Sequence, residues 1–113
     1  MRRELLFGES REKAIDAGRS RWIDAMEGLR SLTLPGPLEW IADELRSGGY
    51  SRELPFIAGT PEECAEELVE YAQTGVDTVV IRMQSAGMDY ADTLRAIERV
   101  GSEVLPLLRA AGY

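Results

Sequence analysis

Residues 56–83, FIAGTPEECAEELVEYAQTGVDTVVIRM, decide the fold of this 113-residue chain. A short apolar run, FIA, is followed by a helix-start signal and an amphipathic segment, and a second apolar run, VVI, follows near the end of the stretch. Short apolar runs bounded by turn residues are typical of buried strands, and the segment between these two runs has helical periodicity. The stretch therefore predicts a strand–helix–strand unit, with parallel strands joined by a right-handed crossover.

The helix of this unit begins at a capping box. Thr60 is the predicted N-cap, Pro61 takes the first helical position and Glu63 the third. Cys64 lies on the apolar arc of the same helix, which predicts a buried, unreactive thiol because reactivity needs exposure and basic surroundings. The glutamates fall on the opposite arc and predict a solvated face.

The segments on either side of the unit add one strand and two helices. Residues 4–7 predict a strand, and Ser10 is a plausible N-cap for the helix after it, in which Gly18 marks a close approach to a neighbouring element. A last helix follows Asp89, and we expect a kink or break in it at Pro106. The predicted apolar stripes of these two helices contain Ile15, Trp22, Met26 and Leu29 in the first, and Leu94, Ile97, Val100, Gly101, Val104, Leu105 and Leu108 in the last.

Residues 31–55 differ in composition from the rest of the chain. Pro35-Gly36-Pro37 breaks the backbone, Leu38 to Leu45 repeat at helical spacing, and Gly48-Gly49 ends that short helix. We interpret this segment as a long excursion, which is either a functional lid or partner surface or a packed structural insertion.

The element order is β-α-(excursion)-β-α-β-α. Alternating strands and helices are typical of an α/β protein with a parallel sheet, here as a single domain over residues 1–113. The continuous run VVI predicts that the last strand, residues 77–83, is covered on both faces.

Composition excludes several classes of function. The net charge of −7 argues against a nucleic-acid partner, and the absence of histidine removes histidine-dependent catalysis and histidine-ligated metals. The single cysteine allows no internal disulfide and fits a reducing cytoplasm. The longest aliphatic run, Val79-Val80-Ile81, is far shorter than the roughly 20 residues that span a bilayer.

Three motifs in order are similar to the C-terminal part of the luciferase-like flavin-dependent monooxygenases. Gly59 to Glu63 match the family's Gly-[Ser/Thr]-Pro-Glu-Glu helix start, and Gly75-Val76-Asp77 match its entry to the last strand. The terminal Val-Leu-Pro-x-x-Arg is matched by Val104, Leu105, Pro106 and Arg109. The start, RELLFGESREKAIDAG, also looks like the family's sixth strand and helix, so the resemblance covers nearly all of this chain.

This resemblance implies a partial (β/α)₈ TIM barrel made of the last three βα units, with consecutive strands side by side. It implies FMN or a deazaflavin as cofactor and a small organic substrate. The implied cofactor-binding residues are Gly59 and Thr60 after one strand and Arg82 and Gln84 at the end of the next. No catalytic residue is assigned and no metal is expected. Because the first five units have no counterpart here, we expect the chain to be inactive by itself.

A second hypothesis is a non-catalytic α/β module. Three parallel strands cannot close a barrel, so the sheet needs cover from self-association or from a chain that supplies the missing units. The candidate residues also have purely structural interpretations. Gly59 and Thr60 suit simple helix capping, Arg82 suits an ion pair with a glutamate, and Trp22 and Trp40 suit packing.

Overall fold

A computed structural model describes residues 1–30, 56–84 and 88–113, with the side chains of Arg2, Trp22 and residues 25–30 excepted. The predicted excursion, with Trp40, lies outside the described residues. The observed elements, in chain order, are β1 (Arg2–Phe7), α1 (Arg11–Arg30), β2 (Phe56–Gly59), α2 (Pro61–Gln73), β3 (Val80–Arg82), α3 (Tyr90–Arg99), a π-helical turn (Val100–Val104) and α4 (Leu105–Ala110).

The three described strands form one parallel sheet in the order β2-β1-β3. Strand β1 pairs with β2 from Glu4 opposite Phe56 to Phe7 opposite Gly59, and with β3 from Arg2 opposite Val80 to Glu4 opposite Arg82. The α/β class and the parallel strands are confirmed. The prediction that β2 and β3 lie side by side is wrong, because β1 lies between them. Consecutive strands are neighbours in a barrel, whereas this order is that of an open, doubly wound sheet.

Helices cover both faces of the sheet. On one face, Leu6, Phe56 and Ala58 pack with Ala14 and Ile15 of α1. On the other face, Leu5 and Ile57 pack with Cys64 and Leu68 of α2 and with Val104 of the π-helical turn. Alternate residues of β1 and β2 therefore supply two separate cores, as the pleat of a strand requires. Helices on opposite faces are what right-handed crossovers produce when the chain moves first to one side of β1 and then to the other.

Strand β3 is covered on one face only by the described residues. Val79, Ile81 and Met83 pack against the α2 core, whereas the side chain of Val80, on the other face, is 57% exposed. The strand is also shorter than the predicted residues 77–83. The prediction that VVI is covered on both faces is thus wrong for the described part of the chain. An apolar run indicates a strand, but its cover depends on which helices pack on each face, since β2 is also an outer strand and is buried.

Local signals around the helix starts are confirmed. The Ser10 hydroxyl accepts a hydrogen bond from Lys13 N at 3.3 Å. The capping box is complete, since Thr60 Oγ1 accepts from Glu63 N at 3.3 Å and Glu63 Oε2 accepts from Thr60 N at 2.9 Å. Gly18 lies where a Cβ would come within 2.5 Å of Leu6 Cδ1, so the close approach of α1 to the sheet is real.

The last helix changes its hydrogen-bond pattern just before Pro106, the residue at which a kink or break was predicted. Leu105 N–H donates to the carbonyl of Val100, five residues back, which makes one wide π turn. Pro106 has no N–H to donate to a preceding carbonyl, so one bond of the α pattern is lost here, but the chain stays helical and continues as α4 without the predicted break. The predicted stripe of this helix contributes the fully buried Val104, but Leu94, Ile97 and Leu105 are exposed.

Candidate functional site

All four candidate residues lie at the carboxyl edge of the parallel sheet. Gly59 is the last residue of β2, Thr60 follows it, Arg82 is the last residue of β3, and Gln84 comes two positions later. This is the edge at which α/β proteins bind ligands, because the loops that follow parallel strands meet there. The placement is that expected of ligand-binding residues, and their detailed geometry divides them into two pairs.

The space and the backbone N–H group at Gly59 and Thr60 are taken up by contacts with Glu63 in the first turn of α2. Gly59 has φ of 151°, and a Cβ there would lie 2.5 Å from Glu63 Oε2, so the Glu63 carboxylate fills the space above the glycine. The backbone N–H of Thr60 already donates to that carboxylate. Pro61 has no N–H, and Glu63 N–H is taken by the Thr60 hydroxyl. A phosphate at this helix start would have to displace the Glu63 side chain.

Arg82 forms an ion pair across the sheet. Its Nη2 lies 3.1 Å from Oε2 of Glu4, on the same face of β1 and opposite it in register. Glu4 is 4% exposed, and Arg82 remains 47% exposed. A buried carboxylate without a cation is costly, so Arg82 has a structural role as the partner of Glu4.

The two pairs of candidate residues do not converge. Gly59 is level with Phe7 of β1, whereas Arg82 is level with Glu4, three residues lower. At about 3.3 Å per residue and about 4.8 Å per strand, their Cα atoms are on the order of 14 Å apart. The structure therefore brings Arg82 and Gln84 together and leaves Gly59 and Thr60 on the far side of β1.

A groove of about 660 Å³ lies beside Arg82 and Gln84, and we call it the β3–α3 groove. Arg82 and Gln84 line it on the strand side, and Thr93, Ile97 and Gly101 line it on the helix side. Its size falls within the range of small-molecule sites, and its lining combines apolar side chains with a few polar ones.

A second groove of about 550 Å³, the β3–α4 groove, runs along the same strand toward its start. It is lined by Leu68 and Ala72 of α2, Val79 and Ile81 of the β3 segment, and Leu108 of α4. Ile81 and Leu105 line both grooves, so the two form a continuous apolar surface along β3.

The sequence analysis missed Glu4 and the carboxyl end of β1. Ligands of open α/β sheets bind where the strand order reverses, and here the order reverses at β1. Arg82 and Gln84 adjoin that point, together with the turn at Gly8, whose N–H donates to Gly59 O at 3.0 Å. The sequence signal is weak, because Glu4 stands at the start of the run ELLF, directly after Arg2 and Arg3, where a solvent-exposed charge would be expected.

The chemistry of the remaining groups near the site is limited. Cys64 is fully buried, as predicted, and burial raises the pKa of its thiol to about 12, which disfavours the reactive thiolate. Among residues 1–30, 56–84 and 88–113, no group of three or more side chains could hold a metal ion. In the same part of the chain, no helix is both long and apolar enough to span a bilayer.

Comparison with known proteins adds no family. No family model matches the chain, and no curated protein matches it.

Proposed function

We propose that the chain is the closing part of a luciferase-like flavin-dependent oxidoreductase, and that it is inactive until further strands complete its sheet. The proposal originates in the motifs at Gly59, Gly75 and Val104. The observation that supports it is the location of Gly59, Thr60, Arg82 and Gln84 at the carboxyl edge of parallel strands. Within a complete barrel, the flavin would supply the oxygen chemistry, and this chain would position it and exclude water.

The proposal requires β3 to change its neighbour. In a barrel of sequential strands, β3 pairs with β2, whereas here it pairs with β1. The pairing of β3 with β1 extends over only three residues, from Val80 to Arg82. Strands supplied from outside the chain would compete for the edge of β1 and release β3 to the far side of β2.

A chimera tests this function. The chain replaces the last three βα units of a luciferase-like monooxygenase, and reduced FMN is titrated under anaerobic conditions. We expect saturable binding, and we expect Arg82→Ala to weaken it about tenfold or more, the effect of losing a charged hydrogen bond. Arg95→Ala is the matched control, because Arg95 is an exposed arginine that pairs with Asp92 on α3.

A folded chimera that fails to bind reduced FMN contradicts the proposed function. Equal effects of the two arginine substitutions contradict the role of Arg82. The isolated chain should show no tight binding, and micromolar or tighter binding by it would contradict the claim that it needs completion.

A second function is favoured by the strand order. A sheet in the order β2-β1-β3 is not a segment of a sequential barrel, and its outer strand keeps exposed apolar surface. These features support a non-catalytic α/β module that self-associates or completes a partner. Sedimentation equilibrium separates this function from the first, because a strict monomer with cooperative unfolding would have no need of a partner.

A further inference from the structure

The ion pair between Glu4 and Arg82 connects two neighbouring strands through a buried charge. Arg82 of β3 is the register partner of Glu4 of β1, and its Nη2 lies 3.1 Å from Glu4 Oε2. The Glu4 side chain is only 4% exposed, so its carboxylate is held inside the protein. Removing the cation from a buried pair is strongly destabilising, because the carboxylate then remains buried without compensation. Arg82 therefore stabilises the arrangement in which β3 lies beside Glu4.

The apolar contacts of β3 do not select its neighbour in the sheet. On the α2 face, the apolar side chains of this segment pack against a core that contains Leu5 of β1 and Ile57 of β2. On the other face, Val80 is exposed and contributes little burial. Because burial of apolar surface is not directional, these contacts favour a position next to the core without specifying which strand lies alongside.

The ion pair does specify the neighbour and the register. Strand β2, Phe56–Gly59, has no acidic residue, so beside β2 Arg82 would have no carboxylate opposite it. A slip of β3 by two residues along β1 would place Arg82 opposite Leu6 and Val80 opposite Glu4. Both alternatives separate the two charges, and a buried pair favours the one arrangement in which the charges meet.

We propose that the Glu4–Arg82 ion pair is the contact that holds β3 beside β1 and not beside β2. This deepens the first proposed function and rests on it for its consequence, because the contact keeps the chain in a strand order that a sequential barrel does not have. The β1–β3 pairing extends over only three residues, so one buried ion pair is a large part of what stabilises it. Moving β3 to the far side of β2 separates the pair and makes Arg82 available to a ligand.

Two backbone amides report the two strand pairings separately. Val80 N–H donates to the carbonyl of Met1, which precedes β1, at 2.8 Å, and Gly8 N–H donates to Gly59 O of β2 at 3.0 Å. Amide hydrogen exchange on the full chain, without flavin, measures how often each hydrogen bond opens. Loss of protection at Val80 alone therefore means that β3 has left β1 while β1 and β2 stay paired.

Substitution of Arg82 tests the contact. Arg82→Gln removes the cation and leaves Glu4 in place, so we expect exchange at Val80 to accelerate about tenfold or more and exchange at Gly8 to change by less than about threefold. Arg82→Lys keeps a cation and should retain most of the protection at Val80. Arg95→Gln is the matched control, because Arg95 is an exposed arginine that pairs with Asp92 on α3, and it should leave both amides unchanged.

Replacing both charges tests the role of Glu4. When Glu4→Gln is combined with Arg82→Gln, no carboxylate needs a cation, so protection at Val80 should return to within about threefold of the wild type. A double variant that is no better protected than Arg82→Gln overturns the role of Glu4. An unchanged Val80 amide in Arg82→Gln, or equal losses at Val80 and Gly8, overturns the proposed contact. Flavin binding by the chimera is measured separately, so a failure of this contact and a failure of the proposed function are distinguishable.

Discussion

The two outer strands of the sheet, β2 and β3, have opposite environments. Every residue of β2 is buried, with Ile57 fully so, because α1 covers one face and α2 the other. In β3, Val80 is exposed and the apolar residues on one face alone are covered. Both segments are short apolar runs in the sequence. This difference shows that the helices packed on the two faces decide whether an outer strand is buried. In the described part of the chain, β3 is covered by helices on one face only.

Truncating a side chain in each strand is the strongest test of this comparison. Ile57→Ala removes a fully buried side chain and should lower the free energy of unfolding by about 2–5 kcal/mol. Val80→Ala, at an exposed position, should change it by less than about 0.5 kcal/mol. Urea denaturation measures both. Similar losses at the two positions would mean that Val80 is buried in solution, either by a partner or by another part of the chain.

Alkaline pH should lower the free energy of unfolding through Cys64, which packs with Ile57 of β2 in the core. Burial raises its pKa from 9.0 to about 12, so the folded state holds the thiol proton more tightly than the unfolded state. This contribution is fully present below pH 9 and is lost as the pH rises toward 12, at about 1.4 kcal/mol per pH unit. The measurement is the difference in unfolding free energy between the wild type and Cys64→Ala across that range. A difference that does not change with pH would contradict the buried thiol.

A methyl group at the carboxyl end of β2 should be poorly tolerated. Gly59→Ala forces an L-residue to adopt φ of 151° and brings Cβ within 2.5 Å of Glu63 Oε2, so we expect a loss of about 1–3 kcal/mol. Gly101→Ala is the control on the β3 side, because a Cβ there meets no atom within 4 Å and should be neutral or stabilising by up to about 1 kcal/mol. Thermal unfolding of the two variants distinguishes them, and an unchanged midpoint for Gly59→Ala would argue against the observed turn.

The smallest expected difference in stability is between substitutions at the N-caps of the helices that follow β2 and β3. Thr60→Ala removes a hydroxyl that caps α2, and it should cost about 1 kcal/mol. Asp89, at the N-cap of α3, makes no side-chain capping hydrogen bond, so Asp89→Ala should cost only the interaction with the helix dipole, about 0.3 kcal/mol. A larger loss for Asp89→Ala in urea denaturation would reverse this order.

Signals that act over a few residues were predicted correctly. The capping box at Thr60 and the cap at Ser10 depend on backbone donors and acceptors within one turn of helix, so the residue types there are sufficient. Gly18 was also informative, because a glycine inside a helix lowers stability unless something packs against it.

The candidate site was predicted only as far as its edge of the sheet. Gly59 and Arg82 end their strands and Thr60 and Gln84 follow them, which the chain order alone indicates. The ion pair of Arg82 with Glu4 joins residues 78 positions apart, and it depends on β3 lying beside β1. No local pattern specifies that neighbour, so the separation of Arg82 from Gly59 could not be predicted.

The sequence by itself determined the order and type of the described strands and helices and the caps at Ser10 and Thr60, because these depend on periodicity and on short-range hydrogen bonds. Only the tertiary structure decided that β1 lies between β2 and β3 and that Glu4 is the partner of Arg82. Strand neighbours are set by the packing of whole helices on the two faces of a sheet, and apolar runs as alike as FIA and VVI carry no information about which strand lies beside which.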